Sequence, residues 1–176
     1  MPAIEDIAEP QIRENITRAA ADVFKTMLRR PAKLVATPFE SDAVHPWPAP
    51  SMTHGVTQVV GIVGFIGEAN GFVYLWFNLD FAKKCTGAML GLDSSDLAGM
   101  GDEPVNDAIG ELANMVVGSF KNGLCDAGYP CKLTIPTVLR GTECALAPTH
   151  LARRFAYTFE SSSDRLAVDV VVKASS

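Results

Sequence analysis

Asp107, Glu111, Asn114 and Gly118 lie in one segment and have the types and spacing to handle a charged, reacting group. On a helix over 103–126 that turns about 100° per residue, Asp107 at zero puts Glu111 at about 40°, Asn114 at about −20° and Gly118 at about 20°. Val105, Ile109, Leu112, Val116 and Phe120 gather within roughly 40° of the opposite pole, where a core would hold them. Glu111 and Asn114, three apart, are surface neighbours that point the same way. An amide is no base near neutral pH, but it can accept from or donate to a positioned molecule. One use is to orient a water for in-line attack on a phosphoryl group. A carboxylate beside it could anchor a lysine close to that group. Solvated helix faces carry the same residue types, so the strip alone is weak grounds. Its cost is the stronger signal. Asn competes with the helical backbone, and Gly110, bordering the strip, and Gly118, within it, each cost about 1 kcal/mol relative to alanine. Such a helix keeps one side low, so that a partner's backbone can approach.

Several elements must hold this helix in place. Residues 10–30 carry apolar positions at helical spacing (Ile12, Ile16, Ala19, Ala20, Val23, Phe24, Met27), between Pro10 and Pro31. The segment 37–55, with Pro38, Pro46, Pro48 and Pro50, reads as an ordered but irregular surface loop, because its prolines exclude a helix or a central strand. Residues 59–66 and 72–77 are β-branched and aromatic runs on either side of Asn70-Gly71, a hairpin signal. Asp80 is expected to cap a short helix, 81–90, closed by Gly91. A polar connector, 93–101, precedes the long helix, which has Asp102, Glu103 and Pro104 at its start and Gly128 past its end. The remainder reads as strands at 133–140, 143–147, 155–159 and 166–172, with a turn at 161–164. Asp169 and Lys173 predict that the last strand has one wet face. The whole, 1–176, reads as one α+β domain: long helices packed on a mostly antiparallel sheet.

Composition narrows the function. Of 176 residues 48% are apolar and 20% charged, against a usual charged share of ~25%. A net charge of −5 argues against nucleic acid as a partner. The apolar stretch 56–79 is broken by Gln58, Glu68, Asn70, Asn78 and four glycines, so it is no membrane span. The acidic start lacks the basic opening of a secretory signal, and a cytoplasmic protein is expected. Cys85, Cys125, Cys131 and Cys144 have no metal-ligand spacing, with or without His150, and read as buried free thiols; His45 and His54 form no metal pattern either. Gly61, Gly64 and Gly67 lack the helix that a nucleotide loop needs directly after them, so close backbone packing is the better account. Neither a Walker A loop nor an HExxH, GxSxG or two-carboxylate hydrolase pattern is present. Any chemistry on the strip must borrow the rest of its machinery from the substrate.

The run Asp107, Ala108, Ile109, Gly110, Glu111, Leu112, Ala113, Asn114, followed after 21 residues by Pro136, resembles CheX, of the CheC/CheX/FliY chemotaxis phosphatases. The spacer is one residue shorter than that family's nominal one. The order of elements from about residue 10 is similar too, with 37–55 as an elaboration. The resemblance implies hydrolysis of the phospho-aspartate of a CheY-like response regulator: Asn114 orients the attacking water and Glu111 pairs with the regulator's lysine. Asp107, Gly110 and Gly118 would support the site or meet the partner. Mg2+ would belong to the regulator, leaving the protein with no cofactor of its own. CheC-like relatives carry a second Glu-x-x-Asn in the first helix; here Glu14 is followed by Thr17, so a single-site member fits. The resemblance also implies a homodimer formed through the sheets, and the apolar surplus, with the runs 72–77 and 166–172, gives such a surface material. The alternative is a catalytically silent module that docks a receiver or a flagellar-switch component. A small-ligand sensor built on the glycine-bearing hairpin is a third class, but convergent polar groups are missing there.

Overall fold

The computed structural model describes residues 7–35, 39–41, 47–48, 55–142, 144–146 and 152–173; at 39–41, 47–48 and 145–146 the description covers the backbone only. The chain opens with α1 (Glu9–Val23), whose last turn widens into a π-helical turn, Phe24–Leu28. Short strands β1 (Lys33–Leu34), β2 (Phe39–Ser41) and β3 (Trp47–Pro48) precede the hairpin of β4 (Gln58–Gly67) and β5 (Gly71–Asn78). Next come α2 (Leu79–Leu90), α3 (Ser94–Leu97) and α4 (Asp102–Asp126). The strands β6 (Cys131–Leu133), β7 (Thr137–Gly141), β8 (Ala145–Leu146), β9 (Ala152–Ser161) and β10 (Asp164–Lys173) complete the order.

Every strand pair is antiparallel. Four long strands in the order β9-β10-β5-β4 form the centre of an eight-stranded sheet. β1 and β2 lie along the free edge of β9, and β6 and β7 along the free edge of β4. Period-2 alternation sends Val59, Val63, Phe65, Val73, Leu75, Phe77, Phe155, Tyr157, Phe159, Leu166, Val168 and Val170 to one face. There they meet the buried sides of α1, α2 and α4 in one core. The α+β reading of the sequence therefore holds.

The structure departs from the sequence reading in several places. Asn78 caps α2, its side chain accepting from the Phe81 N–H at 2.8 Å, and Asp80 sits inside the first turn. β5 runs into the helix with no loop between them, so the cap falls two residues early. The polar connector folds α3, closed by a capping box between Asp93 and Asp96. The expected strand 133–140 is two strands, both on β4, parted by 134–136 around Pro136, since proline cannot donate to the ladder. The hairpin at Asn70 closes through the Asn70 side chain, which exchanges hydrogen bonds with the Gly67 backbone at 3.0 and 3.2 Å. Asp169 does not mark a wet face: it is fully buried. It accepts from Arg154 Nε at 2.6 Å and Trp76 Nε1 at 2.7 Å. Burial pushes its carboxyl above the usual range, while these two donors pull it back. Within 37–55 the described backbone holds two short strands, β2 and β3, neither of them central; the rest of that expected loop lies outside the described residues, as do residues 143 and 147 of the expected strand 143–147.

Candidate active site

α4 is seated by a glycine in the sheet. A Cβ on Gly61 would stand 2.7 Å from the Ala113 Cβ and 3.2 Å from the Ile109 carbonyl oxygen, so β4 and α4 meet backbone to backbone. This close approach, not a nucleotide loop, is what Gly61 serves. Val105, Ile109, Leu112, Val116 and Phe120 are all buried beneath the helix, as its periodicity requires. From the far edge of β4, Arg140 holds the first turns of α4 through Asn106 Oδ1 at 2.8 Å and Asp102 Oδ1 at 3.0 Å. At the other end Asn15 of α1 packs into the space left by Gly123.

The outward side carries the four residues of the strip. Asp107 and Glu111 are exposed, and Asn114 and Gly118 are half-buried. The side chains of Asp107, Glu111 and Asn114 make no hydrogen bond or ion pair with any other described residue. Glu111 and Asn114 are one turn apart on a rigid, deeply seated helix, with their polar atoms free for something outside the chain. Asp107 caps nothing; it stands one turn before Glu111 on the same ridge.

Gly110 does not sit on the open surface. It is buried under β7, where an added Cβ would lie 3.5 Å from Val138 Cγ2 and 4.0 Å from Pro136 Cβ. The close approach it permits is thus to this chain's own 136–138. Gly118 keeps more room, with Leu133 Cδ1 at 3.9 Å from the same construction. Thr134 pins the intervening segment to β4: its N–H donates to the Gly64 carbonyl, and the Gly64 N–H donates to its Oγ1, both at 2.9 Å. The result is a wall along one side of the strip, topped by Ile135, which is 87% exposed. An isoleucine in an apparent strand carries no sequence signal of exposure, so Ile135 was not legible.

On the other side of the strip lies a groove of about 480 Å³ against Asp107 and Glu111. Met27, Met89 and Leu90 line it as well. Met27, on the apolar stripe expected of the first helix, packs against the core as expected and also lines this groove from the π-helical turn. Among the described residues no group of three or more His, Cys, Asp or Glu side chains could hold a metal ion. His45, His54 and His150 lie outside the described residues. Cys85 and Cys131 are buried free thiols as expected, whereas Cys125 and Cys144 are half-buried. Among the described residues no helix is long and apolar enough to cross a membrane.

A ridge with a free amide and a free carboxylate, between an apolar wall and a groove, can position a molecule that brings its own reactive group. Comparison with known proteins gives this geometry a context. Residues 59–160 match the model of the family described as chemotaxis phosphatase CheX. No curated protein sequence matches the chain. Among solved structures, the chemotaxis protein CheX of Desulfovibrio desulfuricans aligns at 20% identity over 93% of this chain and 99% of its own, with a TM-score of 0.73. A CheC-like superfamily protein from Shewanella sp. PV-4 aligns at 23% identity over 95% and 100%, with a TM-score of 0.75. A third, from the CheX–CheY–BeF3–Mg complex of Borrelia burgdorferi, aligns at 17% identity over 92% and 97%, with a TM-score of 0.62.

Proposed function

The chain belongs to the chemotaxis phosphatase CheX family, and we propose that it hydrolyses the phospho-aspartate of a CheY-like response regulator at the ridge carrying Glu111 and Asn114. The observation that carries this reading is the pairing of those two unengaged side chains on one exposed face of α4. The similar Borrelia structure is a CheX bound to CheY with BeF3 and Mg, which supports a receiver as the partner here.

On this reading α4 enters the receiver's phosphorylation site. The Asn114 amide accepts a hydrogen bond from one water and holds its lone pair in line with the phosphorus. The water oxygen forms the new P–O bond as the bond to the aspartate oxygen breaks. Aspartate leaves as a carboxylate, and the water's protons pass to the released phosphate and to solvent. Asn114 contributes orientation, since an amide takes no proton at neutral pH. Glu111 pairs with the lysine beside the phosphoryl group and fixes the register of the two proteins. Mg2+ arrives with the receiver as part of the substrate. Asp107 extends the acidic ridge, Gly118 keeps the flank of α4 low beside Asn114, and Gly110 supports the site from beneath by letting 136–138 pack against the helix. A homodimer fits the apolar outer face of the β4–β5 hairpin, where Ile66 is 61% and Phe72 47% exposed; sedimentation at micromolar concentration tests it.

The function is tested by adding substoichiometric protein to phosphorylated CheY-type receivers of the source genome and following inorganic phosphate. Multiple turnovers with at least one receiver are expected. Binding without turnover would identify a silent docking module instead.

A further inference from the structure

We propose that the groove beside Glu111 is a second contact site for the same receiver, taking the basic and apolar segment that flanks the receiver's active-site lysine. The proposal rests on the phosphatase reading above and extends it from one ion pair to a surface.

Its first support is a row of unpaired carboxylates. Glu103, Asp107 and Glu111 follow one another at intervals of four and all line the groove. Like charges at that spacing repel and destabilise a helix. The helix N-terminus accounts for Glu103, but its field fades within the first turn and does not reach Asp107 or Glu111. Neighbouring Asp102 is neutralised by Arg140 at 3.0 Å, whereas none of the three has a cationic partner among the described residues. No Lys or Arg lines the groove. Cations from a partner, about one helical turn (~6 Å) apart along α4, would relieve that repulsion.

The second support is the groove's apolar side. Met27 and Met89 are rooted in the core and partly exposed, and Leu90 beside them is 57% exposed. Methionine adapts its shape to a partner's side chain, and the π-helical turn that carries Met27 is an irregularity frequent at functional sites. An acidic rim over a methionine floor selects a segment bearing Lys or Arg and at least one apolar side chain. It is continuous with Glu111, whose own partner is the receiver's lysine, so one receiver can occupy both.

The test uses Glu103→Lys and Leu90→Asp, both at exposed positions, with the beryllofluoride-loaded and the phosphorylated form of each CheY-type receiver of the source genome. Circular dichroism and melting establish that each variant is folded. Each should raise KM and the Kd for the beryllofluoride-loaded receiver at least tenfold, with kcat within twofold of wild type. The 13C-methyl signals of Met27 and Met89, assigned through Met→Leu variants, should shift when that receiver is added. Unchanged KM with unmoved methyl signals, in a wild type that turns over, would overturn the groove and leave the Glu111–Asn114 reading standing. A wild type that neither binds nor dephosphorylates any receiver would overturn both. Methyl shifts that grow with the protein's own concentration, without receiver, would assign the groove to a second copy and overturn the proposal.

Discussion

Gly61 and Ala113 are in contact across the β4–α4 interface, with room for one β-carbon and not two: a Cβ on Gly61 would lie 2.7 Å from that of Ala113. Ala113 immediately precedes Asn114, so the spacing of sheet and helix fixes the height of the proposed water-positioning amide. Gly61→Ala should destabilise the fold by about 1–3 kcal/mol through overpacking and lower turnover by lifting Asn114. Ala113→Gly in the same chain should restore most of the activity, at the cost of about 1 kcal/mol for glycine in a helix. Denaturation midpoints and phosphate release on the single and double variants check this. Additive damage in the double variant would mean that the two residues do not share one space.

Glu111 is exposed and has no ion-pair partner among the described residues; on the proposed reading the receiver's lysine supplies one. Glu111→Gln should weaken binding of a beryllofluoride-loaded receiver and lower kcat/KM together, by roughly the 2–5 kcal/mol of a desolvated interfacial charge pair that loses one member. Glu111→Lys should recover in part when the receiver's lysine is exchanged for glutamate. Calorimetry on this two-by-two set gives the coupling directly.

Asp164 ties three elements together. Its carboxylate accepts from Arg30 and from Lys84 Nζ, both at 2.8 Å, joining the β9–β10 turn to α2 and to the end of the first helix. Burial alone would push this carboxyl up, but the two cations outweigh it and hold it below the usual range. A depressed carboxyl stabilises the folded state fully above its unfolded value of about 3.9, and the contribution is lost as pH falls from there through the folded value. Asp164→Asn should therefore cost about 1–2 kcal/mol at pH 7, Lys84 being largely screened by solvent. The gap to wild type should close below pH about 4. Urea denaturation of both proteins between pH 7 and 2.5 measures it; a gap that widens in acid would reverse the assigned sign.

Burial also governs the thiols. It pushes Cys85 up to about 12, and burial together with the neighbouring Cys125 takes Cys131 to about 11. The thiolate is the reactive form, and Cys85 and Cys131 are also buried while Cys125 and Cys144 are half-buried, so a disulfide reagent at pH 8 should reach Cys125 and Cys144 well before Cys85 and Cys131. All four should react in guanidinium. Equal native rates would contradict the burial pattern.

Much of the architecture was legible, and its limits have physical causes. α4 was read nearly to the residue because a 3.6-residue apolar period, Pro104 at its start and Gly128 beyond its end agree. The strip on its outer side followed from the same period, which fixes faces without reference to the rest of the fold. Long-range pairing is what local patterns omit. Asp169 read as solvent-facing because its partners, Arg154 and Trp76, lie on other strands. Gly110 read as open because the wall of 133–138 returns from beyond the helix to cover it. The groove was hidden for the same reason: Met27, Leu90 and Asp107 meet only once α1, α2 and α4 are packed.

The proposed role of Asn114, orienting the hydrolytic water, is tested by one comparison. Single-turnover phosphate release from a phosphorylated CheY-type receiver is measured with wild type and Asn114→Ala, alongside the affinity of each for the beryllofluoride-loaded receiver. Binding should change little, while release falls by about 10²-fold or more, the usual loss when one positioned polar group leaves a reacting centre. Release by a folded Asn114→Ala protein at the wild-type rate would contradict the mechanism.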